Sequence, residues 1–147
     1  MRSYVCYGSS YYGGPNSRRS YQGMAKMILL VCGGRDYADY ETVCWALEPY
    51  LPFPVTQLLL VQGGALGADA LAKRWAQERG VAVAEYPANW DYFGKAAGPV
   101  RNNTMLRWAK PDVVVAFPGG RGTDHMVKRA RAIGVNIVEI GLSGASK

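Results

Sequence analysis

At 147 residues, 49% of them apolar, the chain is long enough for one domain around one core and short for two of ordinary size. No apolar run reaches the ~20 residues that a membrane-spanning helix needs, and Cys6, Cys32 and Cys44 lack the spacing of a disulfide framework or a zinc site. The net charge of +6 divides unevenly: residues 1–26 hold Arg2, Arg18, Arg19 and Lys26 and no acid, while residues 27–147 hold 13 basic and 11 acidic side chains, a balance too near neutral for a surface that tracks nucleic-acid phosphates.

The first 26 residues are rich in Gly, Ser, Arg and Tyr without helical or strand period, and read as a flexible extension. The N-terminus lacks the charged-then-apolar order of a signal peptide, so a cytoplasmic location is expected. Met24 and Met27 stand just before the first apolar run, and two readings of the extension stay open: translation in the native source begins at one of them, or the Tyr/Arg mixture stacks on bases or on a partner. Residues 27–147 form the single domain.

Met27 to Cys32 is an apolar run without alternation, the mark of a strand covered on both faces, and Gly33-Gly34-Arg35-Asp36 follows it as a turn. Asp39 caps a helix to about Glu48, with Val43 and Leu47 on its inner face. Leu58 to Gln62 is the second strand, followed by a second glycine turn at 63–67 and a helix with Leu71 and Trp75 inward, ending at Gly80. Val81 to Tyr86 is the third strand. The connection 87–98 is long for a compact domain, and it holds Trp90, Tyr92 and Lys95. Pro99 is suited to the first position of the next helix, which carries Arg101, Asn102 and Asn103. Val113 to Phe117 is expected as the central strand, with Gly119, Gly120 and Gly122 after it and Thr123 or Asp124 capping a helix to Ile133. Val135 to Ile140 closes the sheet. Trp45, Trp75 and Trp108 fall on apolar helix faces, and Cys32 and Cys44 read as core thiols.

This alternation predicts a doubly wound α/β sheet of about five mainly parallel strands with helices on both faces. Such sheets bind ligands beyond the carboxyl ends of their strands, where all three glycine turns should meet in one pocket. Helix starts there favour anions, phosphate above all. The residues expected to contact a ligand are Gly33, Gly34, Arg35, Asp36, Gly63, Gly64, Gly67, Asp69, Trp90, Lys95, Arg101, Asn102, Gly119, Gly120, Arg121, Gly122 and Thr123. Arg35, Arg101 and Arg121 stand where a guanidinium reaches phosphate, Trp90 and Tyr92 where a ring stacks on a base, and Asp36 and Asp69 where a carboxylate holds ribose hydroxyls or acts as a base. His125, the single histidine, reads as a solvent-facing helix residue, and no metal or cofactor site is expected.

Four segments taken together, Val-Cys-Gly-Gly-Arg-Asp-Tyr at 31–37, Gly-Gly-Ala-Leu-Gly-Ala-Asp at 63–69, Gly-Lys-Ala-Ala-Gly-Pro-Val-Arg-Asn at 94–102 and Phe-Pro-Gly-Gly-Arg-Gly-Thr at 117–123, resemble the YspA/YpsA-related branch of the SLOG superfamily. The resemblance implies a Rossmann-like domain that binds a nucleotide or a nucleotide-derived, signalling-type small molecule, and it makes a homodimer an expectation. LOG phosphoribohydrolases share the Pro-Gly-Gly-x-Gly-Thr-x-x-Glu pattern, but Met126 stands where they have glutamate. A nucleotide N-glycosidase reading would therefore draw on Arg101, Asp69 or Asp36 as catalytic groups. DprA proteins share the 63–69 pattern and bind single-stranded DNA, which makes nucleic acid a further, less favoured partner.

Overall fold

The computed structural model describes residues 27–141, so the extension over 1–26 lies outside the described residues. Five parallel strands, β1 (Met27–Cys32), β2 (Leu58–Gln62), β3 (Ala82–Glu85), β4 (Val113–Ala116) and β5 (Asn136–Glu139), lie in the order β3-β2-β1-β4-β5. The centre is therefore β1, and the expectation that 113–117 is central is corrected. Uninterrupted burial reports cover on both faces; β2 and β4 have it throughout and β1 from Ile28 onward.

Helix α1 (Tyr40–Leu47) and helix α2 (Ala68–Arg79) cover one face of the sheet. A short turn α3 (Trp90–Phe93) precedes α4 (Ala97–Ala109), which with α5 (Arg121–Ala132) covers the other. Alternation along β1 divides the core: Leu29 and Val31 meet α1 and α2, while Ile28, Leu30 and Cys32 meet α4 and α5. Trp75 is wholly buried under α1, and its indole N–H donates to Glu48 Oε1 at 3.0 Å. Asp112 pins the start of the central pair, accepting the Ile28 N–H on Oδ2 and donating its own N–H to the Ile28 carbonyl, both at 2.8 Å.

Four local expectations change. Trp45 is 72% exposed, because it lies about 200° around α1 from Val43, opposite the inward stripe of Val43, Ala46 and Leu47. Cys44 is half-buried, unlike Cys32. The connection after β3 holds helical turns: Asn89 Oδ1 accepts the Tyr92 N–H at 3.0 Å and starts α3, and α4 begins at Ala97, two residues ahead of Pro99. Helix α5 begins at Arg121 behind Gly120 with no side-chain cap, so Thr123 and Asp124 belong to its first turn.

Two left-handed glycines separate conformational strain from crowding. Gly134 has φ of 84° and open space where a Cβ would stand, whereas at Gly67, with φ of 75°, a Cβ would run into the Gly34 carbonyl oxygen. Gly134→Ala is expected to cost about 1–2 kcal/mol in urea unfolding, and Gly67→Ala at least about 3 kcal/mol or the loss of folding altogether; equal costs would show that the turns do not pack as described.

Candidate functional site

The strand order reverses its direction of growth at β1 and β4, and the chain leaves both strands in glycine turns. These turns touch through their backbones. The Gly34 N–H donates to the Pro118 carbonyl at 2.9 Å, and the Gly34 carbonyl accepts from the Ala68 N–H at the start of α2 at 3.0 Å. A Cβ at Gly119 would strike Thr123 Oγ1 and stand 2.7 Å from the Gly34 nitrogen. Gly120 and Gly122 differ, since a Cβ on either would meet nothing within 4 Å.

Above this junction opens a cleft of about 1540 Å³. Gly33, Gly34, Arg35 and Asp36 form its β1 side, and Gly119, Gly120, Arg121, Gly122 and Thr123 its β4 side. Trp90 and Lys95 stand at the rim, with Asp69, Arg101 and Asn102 in the wall. Of the second turn only Ala65 lines the cleft; Gly63 lies under the Arg101 guanidinium, Gly64 against Glu85, and Gly67 beneath the 34–35 backbone. His125 also lines the cleft, one helical turn beyond Arg121, and is half-buried, where a solvent-facing position was expected. The four-residue spacing from Arg121 is the sequence signal that would have placed it on the same helix face.

Several charged groups serve the frame. Arg101 Nη1 donates to the Gly63 carbonyl at 2.6 Å and the Tyr86 carbonyl at 3.2 Å, which ties α4 to the ends of β2 and β3. Burial lowers its pKa, an effect that Asp69 opposes and Arg35 adds to. Asp69, 5% exposed, accepts the Gly63 N–H at 3.1 Å and the Ala65 N–H at 3.2 Å on one oxygen, Oδ2, and so shapes the second turn. Burial pushes its carboxyl up to about 6, against the pull of the Ala65 amide, the Arg101 charge and the Gly63 amide. The side chain of Gln62, fully buried, spans the Gly64 N–H and Glu85 Oε1.

Other polar groups line the cleft without such bonds. No side chain caps α5, and among the described residues the amides of Arg121, Gly122 and Thr123 have no hydrogen-bond partner. Arg35 and Arg121 are exposed beside them. The Arg35 guanidinium lies 5.2 Å from the centre of the Trp90 ring, which is 47% exposed, so cation and aromatic face meet across the rim. Met126 is buried in the core beneath the helix start, and it brings no carboxylate to the cleft. No helix among the described residues is long and apolar enough to cross a membrane.

Residues 27–93 match the family model described as YspA, cpYpsA-related SLOG family. The match takes in the turns after β1 and β2 and ends before Arg101 and the β4–α5 turn. The chain is 39% identical over 120 residues to the Gene 61 protein of Mycobacterium phage D29, an alignment covering 77% of this chain and 95% of the phage protein. Among solved structures, the Moco carrier protein from Chlamydomonas reinhardtii aligns with a TM-score of 0.59 at 25% identity, over 80% of this chain and 78% of that one. The likeness agrees with a Rossmann-like arrangement of strands and helices.

The buried carboxyl of Asp69 makes a pH test available. It holds its proton more firmly folded than unfolded, so its contribution favours the fold below about pH 4 and is lost as the pH rises through about 6. Asp69→Asn keeps an oxygen for the two turn amides and removes the titration. Between pH 4 and 7.5 the wild type should lose on the order of 2–3 kcal/mol of unfolding free energy relative to this variant; parallel profiles would place the proton elsewhere.

Proposed function

This chain belongs to the YspA, cpYpsA-related SLOG family, and we propose that it binds a nucleotide or nucleotide-derived small molecule at the carboxyl edge of the sheet. The anionic group sits at the start of α5, and the planar base reaches toward Trp90. One observation carries the reading: the first amides of α5 lack protein partners and open, past Gly120 and Gly122, into a cleft flanked by Arg35 and Arg121. Free amides and the positive end of the helix dipole together favour an anion. The exposed face of Trp90 offers a ring a stacking surface, and a ring settling there would release Arg35 toward the phosphate. The Chlamydomonas protein is a Moco carrier, which adds support for small-molecule binding on this fold.

The hydrolase reading has less support. Asp69 already takes two turn amides on one oxygen, Asp36 is exposed, and the position of the LOG glutamate is the buried Met126. A single-stranded nucleic acid is also less favoured, because Asp36, Asp39 and Asp69 line the cleft together with Arg35, Lys95, Arg101 and Arg121.

Small molecules released from the purified protein would be identified by mass spectrometry, and AMP, ADP-ribose, NAD and cyclic nucleotides tried by thermal shift. A true ligand at about 100 times its Kd should add roughly 2.7 kcal/mol of stability and be recovered unchanged. A Cβ at residue 120 meets no neighbour and its φ of −106° is not left-handed, so Gly120→Val should leave the domain folded while weakening that ligand at least about tenfold. Undiminished affinity in both Gly120→Val and Arg121→Ala would remove the anion from the start of α5.

A further inference from the structure

Asn102 in α4 is 4% exposed, and both ends of its amide are engaged. Oδ1 accepts from Arg101 Nε at 3.0 Å, while Nδ2 donates to the Gly122 carbonyl at 3.1 Å and lies 3.2 Å from His125 Nδ1. An arginine Nε has a hydrogen to give and no lone pair, so the atom facing it is the amide oxygen. The amide is thereby oriented, and its NH₂ group, which can only donate, faces the histidine. His125 Nδ1 must then be the acceptor, and in a neutral ring the proton resides on Nε2. Among the described residues Nε2 has no hydrogen-bond partner, and the residue lines the cleft one turn after the free amides of α5.

We propose that His125 is a ligand-recognition residue: a neutral imidazole held by Asn102 in the Nε2–H form, which donates from Nε2 to an oxygen of the anionic group bound at the start of α5. This rests on the binding reading above and assigns a further contact within it. Partial burial and the positive charge of Arg129 both lower the histidine's pKa and favour the neutral ring. The charge that acts on the ring is that of Arg129 on its own helix; Arg121 stands one turn before it on α5, and Arg101 on α4 is bonded to the same Asn102. With its proton on Nε2, the ring has no lone pair there to take a proton from water. It acts as a donor and not as a base. A phosphoryl or carboxylate oxygen satisfies that donor, whereas a ligand presenting an N–H at the same point leaves two donors opposed, a mismatch that sites of this kind reject strongly.

The chain has one histidine, so ¹⁵N-histidine NMR of the whole protein gives a single ring to observe. At pH 7 Nδ1 should resonate as unprotonated and Nε2 as protonated, and saturating AMP should move the Nε2 signal. Asn102→Asp replaces the donor facing Nδ1 with an acceptor, and should bring a proton onto Nδ1. His125→Ala should weaken AMP binding about tenfold or more, and His125→Gln, whose amide N–H stands near the place of Nε2–H, should recover most of that loss. A protonated Nδ1 in the wild type, or an unchanged ring in Asn102→Asp, would overturn the assignment. An Nε2 signal unmoved by AMP while the amides of residues 121–123 shift would overturn the donor role and leave the anion site standing. If neither shifts, the binding reading fails for AMP, and this contact with it.

Discussion

The peptide groups of Gly34 hold the carboxyl edge of the sheet together. Its N–H goes to the turn after β4 and its carbonyl to the first amide of α2, so three chain segments meet at backbone distance on the one side of the sheet where the strand order reverses. No side chain fits between them. A Cβ at Gly33 would come within 2.6 Å of the Ala68 Cβ, and those at Gly67 and Gly119 would strike neighbouring atoms. The floor of the cleft is therefore mostly main chain, and main chain at a helix start offers N–H groups to whatever lies above it.

From that junction the polar residues divide into two sets. Arg101, Asp69 and Gln62 satisfy carbonyls and amides at the ends of β2 and β3, and their burial raises the carboxyl and lowers the guanidinium. Opposite charges in a buried wall gain little net stability, since desolvation offsets most of their attraction, but removing one strands the other. Their role is to hold the wall in one shape. The second set is the amides at the start of α5, without hydrogen-bond partners among the described residues, with Arg121 and with Arg35, which lies against the Trp90 ring at the rim.

Asn102 joins the two sets. It takes the Arg101 Nε on one side and gives its hydrogens to the Gly122 carbonyl and His125 on the other. The first turn of α5 is thus anchored to the wall through a buried amide whose orientation the network dictates. Displacement of that amide would disturb both the anchored turn and the histidine proton.

Much of the architecture was legible in the chain itself. Strands at 27–32 and 58–62 coincide with their apolar runs because a strand covered on both faces needs no alternation, and Gly80 ends α2 in the left-handed conformation its position suggested. The helical turn at 90–93 was not read from the sequence, although Asn89, three positions ahead of the amide it accepts, is of a capping residue type. Strand order was not legible, because burial on both faces is shared by β1, β2 and β4 and says nothing of which lies at the centre. Nor were side-chain directions. The sequence placed Arg101 beside a glycine turn, and the tertiary structure decided that it bonds carbonyls at residues 63 and 86. Likewise it turned Trp45 outward and brought His125 against Asn102. Periodicity, caps and turn residues act over a few neighbouring positions and are written locally, whereas the partner of a buried donor is chosen by whichever distant carbonyl or amide the packing brings within 3 Å or so.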